Sequence, residues 1–151
     1  MKAHLTRRYM IAASHRLHTN RLSEAENRET YGKCNNPFGH GHNYAVEVTV
    51  SGQIDPSTGM VCNLVDLDDC FRREVMERFD HQDLNTRPEF ASLVPTTENF
   101  AMVIYQILKR GFHAAHLEKI RIEETANNSF EYCGEGQVTD LAFPTTRMGG
   151  A

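Results

Sequence analysis

Apolar and polar positions along the chain alternate between two periods. Leu5, Tyr9, Ile11, Ala13 and His15 share one parity, which predicts a strand with Arg7 as its polar interruption. Tyr44, Val46, Val48 and Val50 alternate with Glu47 and Thr49, and the same parity carried backwards sets His40 and His42 on the inward side. Leu117 to Thr125 alternates again, with Phe130 to Cys133 as a short partner across an Asn127-Asn128 turn. Between these segments the period becomes helical. Leu67, Cys70, Phe71, Val75 and Phe79 form one stripe, with Asp66, Asp68 and Asp69 near its N-terminus. Phe100, Val103, Ile104, Ile107 and Leu108 form another, opened by Pro95-Thr96-Thr97-Glu98 and stopped by Gly111. The charged stretch from Leu22 to Tyr31 is weakly helical, with Ser23 and Glu26 spaced as a capping box. Asp55-Pro56-Ser57-Thr58-Gly59 is turn chemistry and predicts a hairpin with the residues around Met60.

Two strands, two helices and two strands make an α+β fold with a four-stranded antiparallel sheet and both helices on one face. The other face needs cover, and association of sheets between subunits is the simplest source, so a homo-oligomer is expected. At 151 residues the chain is one domain's worth. A net charge of −4 gives no electrostatic case for nucleic acid or an anionic membrane. No apolar run approaches a membrane span, and Tyr9 to Ala13 is too short for a signal-peptide core. The four cysteines form no C-x-x-C pair and read as reduced thiols of a cytoplasmic protein.

The run from Cys34 to Tyr44 carries the candidate chemistry. His40 and His42, separated by glycine on one face of a strand, can reach a single metal ion. His15, on the inward parity of the first strand, is the natural third imidazole, and three His with an open position is the pattern of catalytic zinc. Cys34 lies in a polar loop beside this site, where metal and histidine would lower its pKa and supply a thiolate. Cys62, Cys70 and Cys133 read as small buried hydrophobes, and His4, His18, His113 and His116 as surface residues. Asp80-His81 pairs a carboxylate with an imidazole that it can orient, although a histidine stabilised by a helix C-terminus has the same sequence. Glu124 shares the inward parity of Ile120 and Ile122, so its carboxylate must be paired or must hold a ligand. Adjacent N–H donors, as on the amino-pyrimidinone edge of a pterin or guanine, would suit it.

From about Leu5 to Cys133 the chain resembles the 6-pyruvoyl tetrahydropterin synthase family. The resemblance rests on Ala12 to Leu17, Gly32 to Pro37 running into Gly39 to Tyr44, and Ile54-Asp55-Pro56 with Thr58 to Val61. It continues through Phe79-Asp80-His81 with Leu84-Asn85, Pro95 to Asn99, and Glu124-Thr125. It implies a tunnelling fold in which three subunits close a barrel and two barrels stack as a homohexamer. His15, His40 and His42 look like Zn2+ ligands and Cys34 like a general base. Asp80 and His81 look like its relay partners across a subunit boundary. Glu124 looks like the pterin anchor, with Thr96, Thr97 and Glu98 lining the pocket. The implied reaction turns 7,8-dihydroneopterin triphosphate into 6-pyruvoyl tetrahydropterin and triphosphate; Arg16 and Lys33 are candidates for the triphosphate. A sister family on this fold makes 6-carboxytetrahydropterin, typically with three residues between the Cys and the first His. Here five intervene, which is similar to the pyruvoyl-forming type. A non-catalytic zinc- or pterin-binding module is the third reading. The expected domain is 1–133, and 134–151 is a tail with no assigned role.

Overall fold

The computed structural model describes residues 1–134 and places five strands in the order β3-β1-β2-β4-β5. Strands β1 (Lys2–His15) and β2 (His40–Gln53) pair antiparallel over their whole length, Lys2 opposite Gln53 and His15 opposite His40. That register, fixed by the buried parity of both strands, sets the first histidine beside the second and Ala13 beside His42. Strand β4 (His116–Thr125) pairs with the other side of β2, and β5 (Asn128–Tyr132) closes the hairpin.

The expected four-stranded antiparallel sheet is therefore a mixed sheet of five. The added strand, β3 (Gln82–Asp83), runs parallel to Ala13–Ser14 at the edge. Two residues have no period to read, which is why the sequence pattern conceals it. Asn85 continues the pairing with its side chain: Oδ1 accepts from the Arg16 amide at 2.7 Å and Nδ2 donates to the Arg16 carbonyl at 2.8 Å. The hairpin expected at Met60 does not form. The Asp55–Gly59 turn is present, Gly59 donating to the Asp55 carbonyl at 2.7 Å, but no strand follows it. Asn63 instead caps the next helix by accepting from the Val65 amide.

Helix α1 (Glu24–Tyr31) starts at Ser23 with both arms of its capping box formed. Helix α2 (Leu64–Phe71) runs through a π-helical turn, Arg72–Met76, into the single turn α3 (Glu77–Phe79). Phe71, Val75 and Phe79 stay buried across that wider turn. Helix α4 (Thr97–Gly111) starts at Thr96, whose hydroxyl accepts from the Asn99 amide. Helices α2 and α4 cover one face of the sheet, burying Ile11, Tyr44, Val46, Val48, Ile120 and Ile122 beneath Phe71, Phe100, Val103 and Ile104. Arg7 belongs to that face: it grips Asp68 of α2 at 3.0 and 2.9 Å, while the Tyr9 hydroxyl donates to the same carboxylate and its ring stacks on Phe71.

A bulge at Glu118 resets β4, because Val50 opposes Leu117 whereas Thr49 opposes Lys119. Leu117 and Ile120 can therefore both face the core although their sequence parities differ. On the helix-free face Arg8, Glu47, Arg121 and Glu131 oppose one another across four strands, in alternating sign. Thr6 and Thr49 share a hydrogen bond of 2.8 Å on the same face. These rows make much of this face polar, while Met10, on the parity of Thr6 and Arg8, lies exposed on it. From residue 135 onward the C-terminal tail lies outside the described residues.

Candidate active site

The candidate site is built where β1 ends and β2 begins. His15 is 1% exposed, and its Nε2 lies 3.1 Å from Nε2 of His40. The ring centroids of His15, His40 and His42 are 4.9, 5.1 and 4.8 Å apart, with every pair of planes nearly perpendicular. The loop entering β2 lies tightly on the end of β1. Gly39 has φ +69°, and a Cβ there would stand 2.9 Å from the His15 carbonyl oxygen, so only glycine fits.

The other side of the His15 ring is fixed by protein. Its Nδ1 donates to the Pro95 carbonyl at 2.8 Å, with the Tyr44 hydroxyl 3.2 Å away. That bond leaves Nε2 as the lone-pair nitrogen facing the cluster, the tautomer a metal ligand needs. His42 Nε2 is buried and makes no hydrogen bond to protein. Burial lowers the proton affinity of His15 and His42, keeping both rings neutral. Neutral, convergent imidazoles, one with an orphaned buried nitrogen, fit a borderline-soft divalent cation such as Zn2+.

Two further donors flank the histidines. Cys34 ends up with His15 and His40 in a group whose ligand atoms lie within 4.8 Å of one another. Glu124 forms a second such group with His15 and His42, its Oε1 being 3.5 Å from His42 Nε2 and 3.7 Å from His15 Nε2. Burial works to raise the Glu124 pKa, but bonds from Asn128 and Thr97 and the nearby imidazoles outweigh it and hold the group ionised. Thr97 Oγ1 donates to Oε1 and Asn128 Nδ2 to Oε2, each at 2.9 Å. For the Cys34 thiol the expected lowering comes from a metal beside it, and the polypeptide alone acts in the opposite direction. Burial first, and then the Glu124 charge, push its pKa up. The protein's own groups favour the thiol, so a thiolate there requires a cation in the cluster.

Asp80 and His81 sit elsewhere, at the edge of β1. Asp80 Oδ1 accepts from the Ala12 amide at 2.9 Å, and Oδ2 lies 3.3 Å from His81 Nδ1. His81 adopts φ +58° while its amide donates to the Ala12 carbonyl at 2.6 Å. Its side chain is exposed beside a cavity of about 440 Å³ that His42 also lines and Cys34 does not. Thr96 spends its hydroxyl on the α4 cap, and Glu98 points to solvent. Arg16 Nε donates to the Asn35 carbonyl at 3.2 Å, while Lys33 is exposed. Cys70 is buried as expected, whereas Cys133 is exposed and Cys62 half-buried. His18 is not simply a surface residue, because its Nδ1 lies 3.2 Å from Asn35 Nδ2.

Sequence reasoning missed Tyr44, Pro95 and Asn128 as supports of the site. A signal existed for Tyr44, since a buried tyrosine needs a partner for its hydroxyl. A backbone carbonyl such as that of Pro95 leaves no such signal.

Residues 4–135 match the family model described as 6-pyruvoyl tetrahydropterin synthase. The chain is 51% identical over 133 residues to the 6-pyruvoyl tetrahydrobiopterin synthase of Poecilia reticulata, covering 87% of this chain and 90% of that one. The human enzyme of that name is 47% identical over 135 residues, covering 89% and 93%. The structure of Caenorhabditis elegans 6-pyruvoyl tetrahydropterin synthase superposes with a TM-score of 0.85 at 40% identity, covering 89% of this chain and 96% of that chain.

Proposed function

Because the chain belongs to the 6-pyruvoyl tetrahydropterin synthase family, we propose that it converts 7,8-dihydroneopterin triphosphate to 6-pyruvoyl tetrahydropterin and triphosphate. It acts as a zinc-dependent carbon–oxygen lyase. The observation that carries this reading is the convergence of three imidazoles, one with an orphaned buried nitrogen, beside a thiol and an ionised carboxylate.

His15, His40 and His42 would hold the zinc through ring nitrogens. When bound, the ion supplies Lewis acidity toward the side-chain hydroxyls of the substrate and a positive charge beside the thiol. Glu124, kept ionised and oriented by Thr97 and Asn128, accepts the N–H donors of the amino-pyrimidinone edge and so sets the ring's position. Cys34, as thiolate, removes a proton from the side-chain carbon. The C–O bond to the triphosphate breaks by elimination, and tautomerisation moves reducing equivalents from side chain to ring without an external redox cofactor. His81, oriented by Asp80, takes up and returns the proton.

His81, which Asp80 holds at 3.3 Å, lines a cavity that its own Cys34 does not line, which supports an assembly in which a neighbouring copy's thiol completes the relay. Closure of three sheets into a barrel, with two barrels stacked as a homohexamer, would use the outer edge of β5 and the length of β1 that β3 leaves uncovered among the described residues. No helix among the described residues is long and apolar enough to cross a membrane. The free thiols suit a reducing cytoplasm.

Mass identification of the products of 7,8-dihydroneopterin triphosphate tests the reading. The pyruvoyl product is expected. Carboxytetrahydropterin with acetaldehyde would assign the chain to the sister activity, and no turnover by zinc-loaded protein would leave a binding module.

A further inference from the structure

The geometry points to Asn35 as a positioning residue that holds the Cys34 thiol against the imidazole cluster, an inference that rests on Cys34 being the base. Asn35 closes the 3-10 turn Gly32–Asn35 and is 4% exposed. A polar side chain so buried must find its hydrogen bonds inside the protein. Its Nδ2 donates to the Leu17 carbonyl at 2.8 Å and lies 3.2 Å from His18 Nδ1. Its own carbonyl accepts from Arg16 Nε at 3.2 Å, and one residue earlier the Leu17 amide donates to the Cys34 carbonyl at 2.8 Å.

Arg16, Leu17 and His18 directly continue the strand that carries His15. The thiol-bearing turn is thus stitched, through four polar contacts, to the chain segment leaving the first imidazole. Lys33, Asn36, Pro37 and Phe38 around it are exposed, and a single 3-10 turn is weak by itself. A second buried amide removes the slack between the two segments. Asn27 accepts from the Thr19 amide and donates to the carbonyls of Thr19, Leu22 and Ser23, anchoring that loop to α1. Asn35 bonds to Arg16, Leu17 and His18 and not to His40, His42 or Glu124, so its effect on chemistry passes through Cys34.

The test compares Asn35→Asp, which keeps the shape but removes both amide hydrogens, with Asn35→Ala. Turnover, bound zinc and the alkylation rate of each of the four cysteines are measured, the last by peptide mass. In both variants kcat is expected to fall about 10- to 100-fold with KM changed less than about twofold, because a base displaced by about 1 Å loses its alignment. Bound zinc stays at the wild-type level, Cys34 alkylates several-fold faster, and Cys62 and Cys70 keep their rates. Wild-type kcat with an unchanged Cys34 rate would overturn the inference. So would faster alkylation of Cys70 in step with Cys34, since that reports general loosening. Retained turnover in Cys34→Ala would instead remove the base reading, and the alkylation rates would still decide whether Asn35 holds the thiol.

Discussion

His15 Nδ1 donates to the carbonyl of Pro95, 80 positions away, across 2.8 Å. The bond joins the end of the first strand to the segment that opens α4. It selects one tautomer of a ring 1% exposed to solvent. The buried neutral ring has a consequence for pH. His15 and His42 have folded-state pKa values below their unfolded ones, so below the unfolded pKa the unfolded chain binds more protons. Stability of chelator-treated protein is therefore expected to be level above about pH 7 and to fall as pH drops through about 6.5, the unfolded histidine value. Glu124, whose pKa is depressed, adds a further loss at lower pH as it protonates. Thermal melts across pH, with and without zinc, check this. A flat profile from pH 7 to 5 would contradict it.

Gly39→Ala tests the close packing of the loop on the strand. The left-handed backbone and the contact with the His15 carbonyl oppose any Cβ, at a cost of about 1–3 kcal/mol. Because His40 follows directly, loss of bound zinc is expected along with a lower Tm. A variant with wild-type zinc content and Tm would mean that the loop can shift freely.

Glu124→Gln replaces a charged acceptor with an amide while leaving Thr97 and Asn128 in place. Losing charge-assisted bonds to the ring is expected to weaken binding of a pterin lacking the phosphate chain by about 1.5–3 kcal/mol. Fluorescence titration measures it, and unchanged affinity would remove Glu124 as the anchor.

Cys34→Ala and His81→Ala are each expected to retain zinc and lose turnover by about 10²- to 10⁴-fold, the range for a positioned acid or base. Co-expressed in one cell, they should regain activity, because mixed assemblies place an intact thiol beside an intact Asp80–His81 pair from another copy. If mixing restores nothing, the relay does not cross a subunit boundary.

The sequence made the histidine cluster legible because strand parity is a strict code: His15, His40 and His42 share their faces with Ile11, Tyr44 and Val46. The capping box at Ser23 and the cap at Thr96 were legible for the same local reason. What escaped was non-local or non-periodic. The bulge at Glu118 adds one residue that alternation cannot announce, and β3 is too short to alternate. The raised Cys34 pKa comes first from burial and then from Glu124, 90 residues away by number and brought near through the β2–β4 pairing. The charged row on the helix-free side of the sheet follows from a parity that carries Arg8, Glu47 and Arg121.

That row of opposed charges has a bearing on how the chain finds its own alignment. A slip of β1 by two residues would keep every buried position on its correct face, so the oily side of the sheet could hardly detect the error. It would, however, set Arg8 against Ala45 or Thr49 in place of Glu47. The charges proofread what the core cannot, and the distance from His15 to His40 is what they keep true.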